Sequence, residues 1–509
     1  MGTILSPFIE IFGEDVTKFL SSAYGWQPRS HLFQQLSRSH QWFVVDMKKC
    51  LIVLLSIVFS IPTFSQTSNI IKTKYNFGAI PFVSFDADKG MQFGAIFTLF
   101  NYGDGSSYPD YESKVYVETS FFTKGSKQYS VMYDNKTLIP GIRWSSAIVT
   151  TTEKAMDFYG FNGYQAWFDQ GRIDLGKVNN IAQDPANYLF TPFYKIERTQ
   201  VIAKTDFTGN ISKHLKWEGG LHFSYFKENA IDRSNINKGK PVYNLFPDSQ
   251  PTLYEDYLKW GIISEGEAAG GFSNSIRLGL MFDTRDKEGA PTRGIWAESH
   301  INAAPGWLGT KNPYTRYTIT FRQYFPMVKH DILTFAYRLN YEGSIGNSAP
   351  YYVLPYITVM GENSDKDGMG GYRTVRGMLR NRVVGLDMAT YTAELRWRFA
   401  KFNSLKQNVS LGLSAFSDGA MVTKGRNMAY RGDLNDNESI SAYNTYMAKG
   451  KANDTPHMTV GSGLRFIMNE NFIVAFEFGT PISHFYKRSS PLYNQDGAGA
   501  FYINTGYLF

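Results

Sequence analysis

One cysteine in 509 residues, Cys50, leaves the chain downstream of it without a disulfide framework or thiol chemistry. No stretch beyond the first 65 residues holds about 18 uninterrupted apolar residues, so no segment there reads as a membrane-crossing helix. Charge is sparse at 19%. The formal net charge is +7, yet no basic helix, zinc-type spacing or Lys/Arg stripe accompanies it, and nucleic acid is excluded as a partner. After Gln66 no segment shows a sustained helical period.

Aromatic residues are abundant, with 39 Phe, 33 Tyr and 9 Trp. From Met47 the chain reads MKKCLIVLLSIVFSIPTFSQ, in which Lys48 and Lys49 precede an apolar core from Leu51 to Ile61 and small residues stand before Gln66. That order reads as a secretory signal peptide over 47–65. Residues 1–46 are then expected to be a start-site artefact or a disordered extension, 66–76 a short periplasmic segment, and 77–509 a single β domain. Cys50 lies ahead of the apolar core, where a lipid-anchoring cysteine does not stand.

Beyond Gln66 the pattern is alternation of period two in segments of about 10 to 14 residues. In SLGLSAFSD, Ser410, Gly412, Ser414, Phe416 and Asp418 share one face and Leu411, Leu413 and Ala415 the other. In TYTAELRWRF, Thr392, Glu394, Arg396 and Arg398 oppose Tyr391, Leu395, Trp397 and Phe399. A soluble sandwich and a membrane barrel both write this pattern, with the apolar face turned inward in one and toward lipid in the other. Segment length favours the barrel, because ordinary strands average five or six residues and a tilted crossing needs about ten. About sixteen such segments are expected, an even number, and the long connections all follow odd-numbered ones and so lie on one side. The fold class is therefore all-β, a transmembrane antiparallel barrel.

Three stretches carry a resemblance to one family. GGYRTVRGM, Gly370 to Met378, holds a Val-Arg-Gly core at Val375, Arg376 and Gly377, in the connection after the eleventh segment. AFSDG presents Phe416 and Asp418, and MFDTRDKEGAPTRG holds Asp283, Arg285, Asp286, Pro291 and Gly294. GSGLRF, from Gly461, is a weaker fourth match. Together they resemble the bacterial surface antigen superfamily of BamA/TamA-type outer-membrane barrels, which also includes FhaC-type secretion pores. The resemblance implies a sixth extracellular loop folded inward, with Arg376 meeting Asp418, which alternation points into the lumen. An ionised carboxylate in a confined lumen is costly without a cation, and the planar guanidinium fork suits two-point contact. The plainer reading of that pair is a structural latch with no part in transport.

Glu394, Arg396, Arg398, Arg465 and Glu477 are lumen-facing by parity, and a mutually compensating wall stands beside solute selectivity as the reading of them. Asp283, Arg285 and Asp286 read as turn and wall charges at the periplasmic rim rather than substrate contacts. The chain ends FYINTGYLF, and its alternation up to Tyr507 and Phe509 resembles the recognition signal of outer-membrane barrels. Pro81 interrupts the first strand, where it weakens a seam with the last strand or merely kinks the strand's start.

The resemblance implies insertion or translocation of proteins or lipids at the outer membrane. Expected partners are outer-membrane lipid, the barrel assembly machinery for the chain's own insertion, and a periplasmic or lipoprotein accessory, because only about a dozen residues separate Gln66 from the first strand and no POTRA receptor domain fits there. A gated or passive diffusion pore is the alternative. No catalytic residue, cofactor or metal is implied, since His222, His300, His330, His457 and His484 stand in no hydrolase-like context.

Overall fold

The computed structural model describes residues 70–505 apart from 87–89, 174–188, 241–244, 329–331, 347 and 362–365. The signal-peptide segment, the 46 residues before it, and Tyr507 and Phe509 lie outside the described residues. One antiparallel sheet of 17 strands runs in chain order. It contains β1 (Tyr75–Asp86), β2 (Gly90–Asn101), β3 (Ser113–Phe122), β4 (Lys127–Ile139), β5 (Ile142–Asp157), β6 (Lys195–Asn210), β7 (Leu215–Asn229), β8 (Gly270–Phe272), β9 (Ser275–Asp283), β10 (Gly294–Ala304), β11 (Tyr314–Pro326) and β12 (Leu333–Ile345). After a two-stranded hairpin, β13 (Tyr356–Ile357) and β14 (Lys366–Asp367), the sheet resumes with β15 (Asp387–Ser404), β16 (Gln407–Lys424), β17 (His457–Met468), β18 (Phe472–Pro481) and β19 (Ala500–Thr505).

The two pieces β8 and β9 are halves of one crossing, so the wall has sixteen segments, as alternation predicts. The break between them has a local cause. Asn274 leaves the ladder to bond the Thr310 hydroxyl and the Leu308 carbonyl of the next loop.

The two faces of the wall are chemically opposite. Leu278, Leu280, Ile301, Ile319, Leu395 and Trp397 are exposed, whereas Arg277, Arg316, Glu342, Glu394 and Arg465 on the other face are almost wholly buried. This is the inside-out arrangement of a membrane barrel, whose apolar face meets acyl chains. No described helix is long and apolar enough to cross a membrane, which leaves the strands as the crossing elements. Among the described residues no ladder joins β1 to β19. Pro81 pairs with Ala95 near the middle of β1, not at its start, with its ring on the exposed face.

Several strands outrun the alternation. β5 extends to Asp157, and β15 and β16 reach 18 residues each. Ala155 and Met156 at the end of β5 and Val422 near the end of β16 are buried in clusters with loop residues rather than facing lipid, and Lys401–Ser404 of β15 are exposed or half-exposed, so the alternation that marks a lipid-facing strand fades before the ladder does. Helices also occur where the sequence shows no sustained helical period. Helix α1 (Arg233–Asn237), α2 (Leu253–Lys259), α3 (Glu265–Ala268) and α4 (Asn437–Lys449) all lie in long loops. A capping box starts α2, where Thr252 accepts from the Glu255 N–H and Glu255 accepts from the Thr252 N–H. Helix α4 turns one stripe, Ser439, Ile440, Tyr443, Tyr446 and Met447, away from solvent, and Tyr443 and Tyr446 lie against Trp260.

These loops share an aromatic core. Phe158, Phe161, Tyr254, Tyr257, Trp260 and Tyr351 come from three separate connections and are all nearly inaccessible. Edge-to-face pairs such as Phe158 with Tyr257, 5.6 Å between centroids, hold the connections to one another. The surplus of aromatic residues thus serves two sites, the outer face of the wall and this loop core.

Candidate functional site

The site sits on the inner face of β15 to β19. Antiparallel register puts inward residues in rows, so Thr392, Asp418, Thr459 and Pro481 form one, Glu394, Phe416, Gly461 and Gly479 the next, and Arg396, Ser414, Gly463, Glu477 and Tyr502 the third. Two glycines in the middle row leave a depression. A side chain on Gly461 would run into the Phe416 ring, and one on Gly479 would lie 2.7 Å from the Arg376 carbonyl oxygen. The weak GSGLRF match therefore has a physical role, since Gly461 makes room for the Phe416 ring on which the Arg376 guanidinium lies.

The connection between β12 and β15 fills that depression. Its tip is a compact turn in which the Thr374 hydroxyl bonds Gly368 and Gly370, and Gly377 at φ +92° takes a conformation that side-chain-bearing residues rarely adopt. Arg376 is completely buried. Its Nε and Nη2 donate to the two oxygens of Asp418 at 2.8 and 3.0 Å, and its main-chain N–H donates to the same carboxylate at 3.0 Å. Nη1 donates to Glu477 at 2.6 Å and to Glu394 at 3.3 Å, and the guanidinium carbon lies 3.5 Å from the centroid of the Phe416 ring. Arg465 bridges the same two glutamates, and Arg396 also reaches Glu394. Three carboxylates and three guanidiniums are thus interleaved, the condition under which buried charge is tolerated.

Of the wall charges read from parity, Glu394, Arg396, Arg465 and Glu477 gather with Arg376, Val375, Gly377, Phe416 and Asp418, and Val375 is fully buried beside them. Arg398 does not. It lies toward the other end of β15 and donates to Glu470 and to the Ala290 carbonyl. The MFDTRDKEGAPTRG turn is also remote from the clamp. Asp283 accepts from Arg285, and Asp286 accepts from the main chain and hydroxyl of Thr292. Pro291 is buried, and Gly294 has φ +103° with the Thr284 carbonyl where a side chain would go. That turn carries three ion pairs that sequence reading missed. Glu288 accepts from Lys136 at 2.6 Å and from Arg143 at 2.7 Å, and Lys287 meets Glu470 at 3.5 Å. Burial alone would raise the Glu288 carboxyl, but Arg143 and Lys136 hold it well below the usual range.

Other partners of the loop were also not foreseen. The Gly377 N–H donates to the Tyr502 hydroxyl on β19, and Tyr372 lies against the Tyr502 ring. Arg380 binds Glu153 and Asp157, and Arg382 donates to the carbonyls of Gln495 and Gly163. Among the described residues no serine hydroxyl is bonded to a histidine ring. His457 is instead bracketed by Asp454 and Asp496, at 3.0 and 2.6 Å.

An inside-out sixteen-segment wall with a buried arginine clamp from its longest inward-contacting loop defines a class of outer-membrane β-barrel. The Omp85 superfamily domain matches residues 163–509, and the chain belongs to that superfamily. It is accordingly a protein of the bacterial outer membrane, in a family whose work is insertion or translocation there. No curated protein matches the chain. Among solved structures it is similar to BamA from Haemophilus ducreyi lacking POTRA domains 1–3, at 14% identity and a TM-score of 0.44 over 85% of this chain and 70% of that one. It is also similar to CdiB from Escherichia coli, at 10% identity and 0.47 over 85% and 62%. CdiB from Acinetobacter baumannii follows at 13% and 0.42 over 86% and 60%. The chain thus spans less than two thirds of either CdiB.

Proposed function

We propose that this barrel takes part in inserting or translocating polypeptide at the outer membrane, with a separate periplasmic or lipoprotein partner supplying the substrate receptor. The observation that carries this reading is the bond from Gly377 to Tyr502, because it couples the clamped loop to the last strand. Moving the loop then loosens the strand that borders the β1 seam, where Pro81 cannot donate a ladder hydrogen bond. Pro81, Tyr507 and Phe509 are the seam residues of this proposal. The alternative, a passive pore, is weighed down by the loop lying against the lumen wall and by the shared aromatic core of the outer connections.

The test is a vesicle assay in which a urea-unfolded outer-membrane barrel is offered to the reconstituted chain together with proteins that co-purify with it. Cysteine pairs engineered across the first and last strands are expected to abolish acquisition of protease-resistant, membrane-inserted substrate when oxidised and to restore it when reduced. Insertion that proceeds unchanged with the seam locked defeats the gate.

A further inference from the structure

The loop that carries Arg376 touches the wall in a second place, on the opposite arc from β6 to β12, and it does so by different chemistry. There the inward rows are Asp206, Gly220, Arg277, Asn302, Arg316 and Ser344 in one register, and His300, Thr318 and Glu342 in the neighbouring one. The segment from Val353 to Gly361 crosses these rows, leaving a 3-10 helix and a turn at Val353–Pro355 and running on from Tyr356 through the start of the β13–β14 hairpin. Arg316 Nη1 donates to the carbonyls of Val353 and Tyr356, both at 3.1 Å. Arg277 Nη1 donates to the Val359 carbonyl at 2.9 Å. In the other direction, Glu342 accepts the Thr358 N–H at 3.3 Å and Asp206 accepts the Gly361 N–H at 3.2 Å. Two residues bond the wall through their side chains, the Tyr356 ring also lies 5.7 Å from that of Phe226, and Leu354 and Ile357 are buried in apolar clusters that include residues of the loops. The Thr358 hydroxyl meets Glu342, Thr318 and His300, and the Tyr356 hydroxyl meets Arg198.

The clamp at Arg376 reads a side chain. The β6–β12 arc reads mainly carbonyls and amides, groups that almost every residue of every polypeptide carries. Both signs are present, with guanidiniums for carbonyls and carboxylates for amides, and they are spaced across six strands. Main-chain recognition of an extended segment supplies affinity without sequence preference, as in strand addition to a sheet edge. These wall groups are all at most 3% exposed, and leaving them unmet in a confined lumen is unfavourable. An exchange of one extended segment for another keeps the same hydrogen bonds.

We infer that the inner face of β6–β12 is a binding groove for extended polypeptide main chain, held in this state by residues 356–361 as an internal stand-in. The inference rests on the proposed handling of polypeptide, and it names where in the lumen that polypeptide lies. Displacement of the stand-in by an incoming segment frees one end of the same loop whose other end holds Tyr502.

The experiment uses the barrel in detergent with residues 357–366 deleted, so that Tyr356 joins Asp367, its partner in the β13–β14 hairpin, and the main-chain groups of Thr358, Val359 and Gly361 are removed from the groove. Two fluorescein-labelled synthetic peptides serve as probes, one with the sequence of residues 353–367 and one with that composition scrambled. Both are expected to bind with affinities within about threefold of each other, and both are expected to weaken at least about tenfold in a variant that also carries Arg277→Ala and Arg316→Ala, since a tenfold change is what loss of a hydrogen bond to a charged group produces. Binding by the native sequence alone, or by neither peptide, overturns the groove. If the deletion variant gives no heat-modifiable folded band, the full chain is used with about 5 mM scrambled peptide, high enough to compete with a tethered segment. Faster hydrogen exchange at Thr358 and Gly361 is then expected, and unchanged exchange overturns the inference. No insertion assay enters this measurement, so peptide binding without insertion would leave the groove standing and remove the proposed function instead.

Discussion

The Gly377 N–H and the Tyr502 hydroxyl are 3.0 Å apart, a single bond from the tip of a 41-residue connection to the strand that ends the sheet. The Tyr502 ring has its own contact with Tyr372, so the hydroxyl can be removed without emptying the position. Tyr502→Phe is expected to cost about 1 kcal/mol, the ordinary net worth of such a bond. Hydrogen exchange at Ala500–Thr505 should then quicken about fivefold while that of β16 and β17 is unchanged. Equal protection of β19 in variant and wild type would show that the loop does not steady this strand.

The depression under the clamp gives a steric prediction. Gly479→Ala brings a methyl group 2.7 Å from the Arg376 carbonyl oxygen, with the wall on one side and the buried loop on the other. Overpacking of this kind costs about 1–3 kcal/mol. Trypsin is expected to cut at Arg373 or Arg380 in Gly479→Ala under conditions where the wild-type loop survives. Gly412→Ala, in the same sheet and 3.1 Å from only the Trp397 carbonyl oxygen, is the milder control and should leave the loop protected.

Much of this was legible in the chain, and the reason is geometric. Alternation specifies which residues share a face, so Asp418, Glu394, Arg465 and Glu477 could be placed on the inner wall without knowing what they meet. The partner came from the motif around Arg376, because register within a sheet says nothing about which loop folds against it. The β6–β12 groove was illegible for the same reason. Arg277, Arg316, Asp206 and Glu342 have the right parity, but they bind the main chain of Val353, Tyr356, Thr358, Val359 and Gly361, which leaves no mark in side-chain identity. Helix α4 escaped because its stripe of Ile440, Tyr443, Tyr446 and Met447 covers only about two turns, too short for a sustained period, and the far end of β15 because Lys401–Ser404 mixes polar and apolar residues at exposed or half-exposed positions.

The contacts of Glu288 give the turn before β10 a pH dependence. Its carboxyl is held well below its ordinary 4.5 by Arg143 and Lys136. A depressed carboxylate contributes stability that is complete above the unfolded value and is lost as pH falls through the folded one. The turn should therefore be tight at neutral pH and should loosen as pH drops below about 4.5, toward the lower folded value. A spin label at Arg293→Cys, in a chain with Cys50 replaced by serine, is expected to gain mobility over that range. Glu288→Gln should be mobile at neutral pH and show no such transition. A wild-type transition that persists in Glu288→Gln would assign it to another carboxyl.

The clamp itself sets the last expectation. Arg376→Ala removes a guanidinium that touches Asp418, Glu394 and Glu477, all buried, and removing one partner of such a network costs about 3–5 kcal/mol. Arg376→Lys should recover little of it, because a single ammonium cannot serve both oxygens of Asp418 and the two glutamates at once. In planar bilayers the wild-type chain is expected to show a small conductance that rises in Arg376→Ala and stays raised in Arg376→Lys. The second anchor at Arg277 and Arg316 predicts that this rise is intermittent, since the loop stays tethered to the opposite arc, and that it becomes steady only when both sites are broken. A large, steady wild-type conductance that the substitution leaves unaltered would reverse the order of the two readings and make the barrel a passive pore whose loop is merely packed.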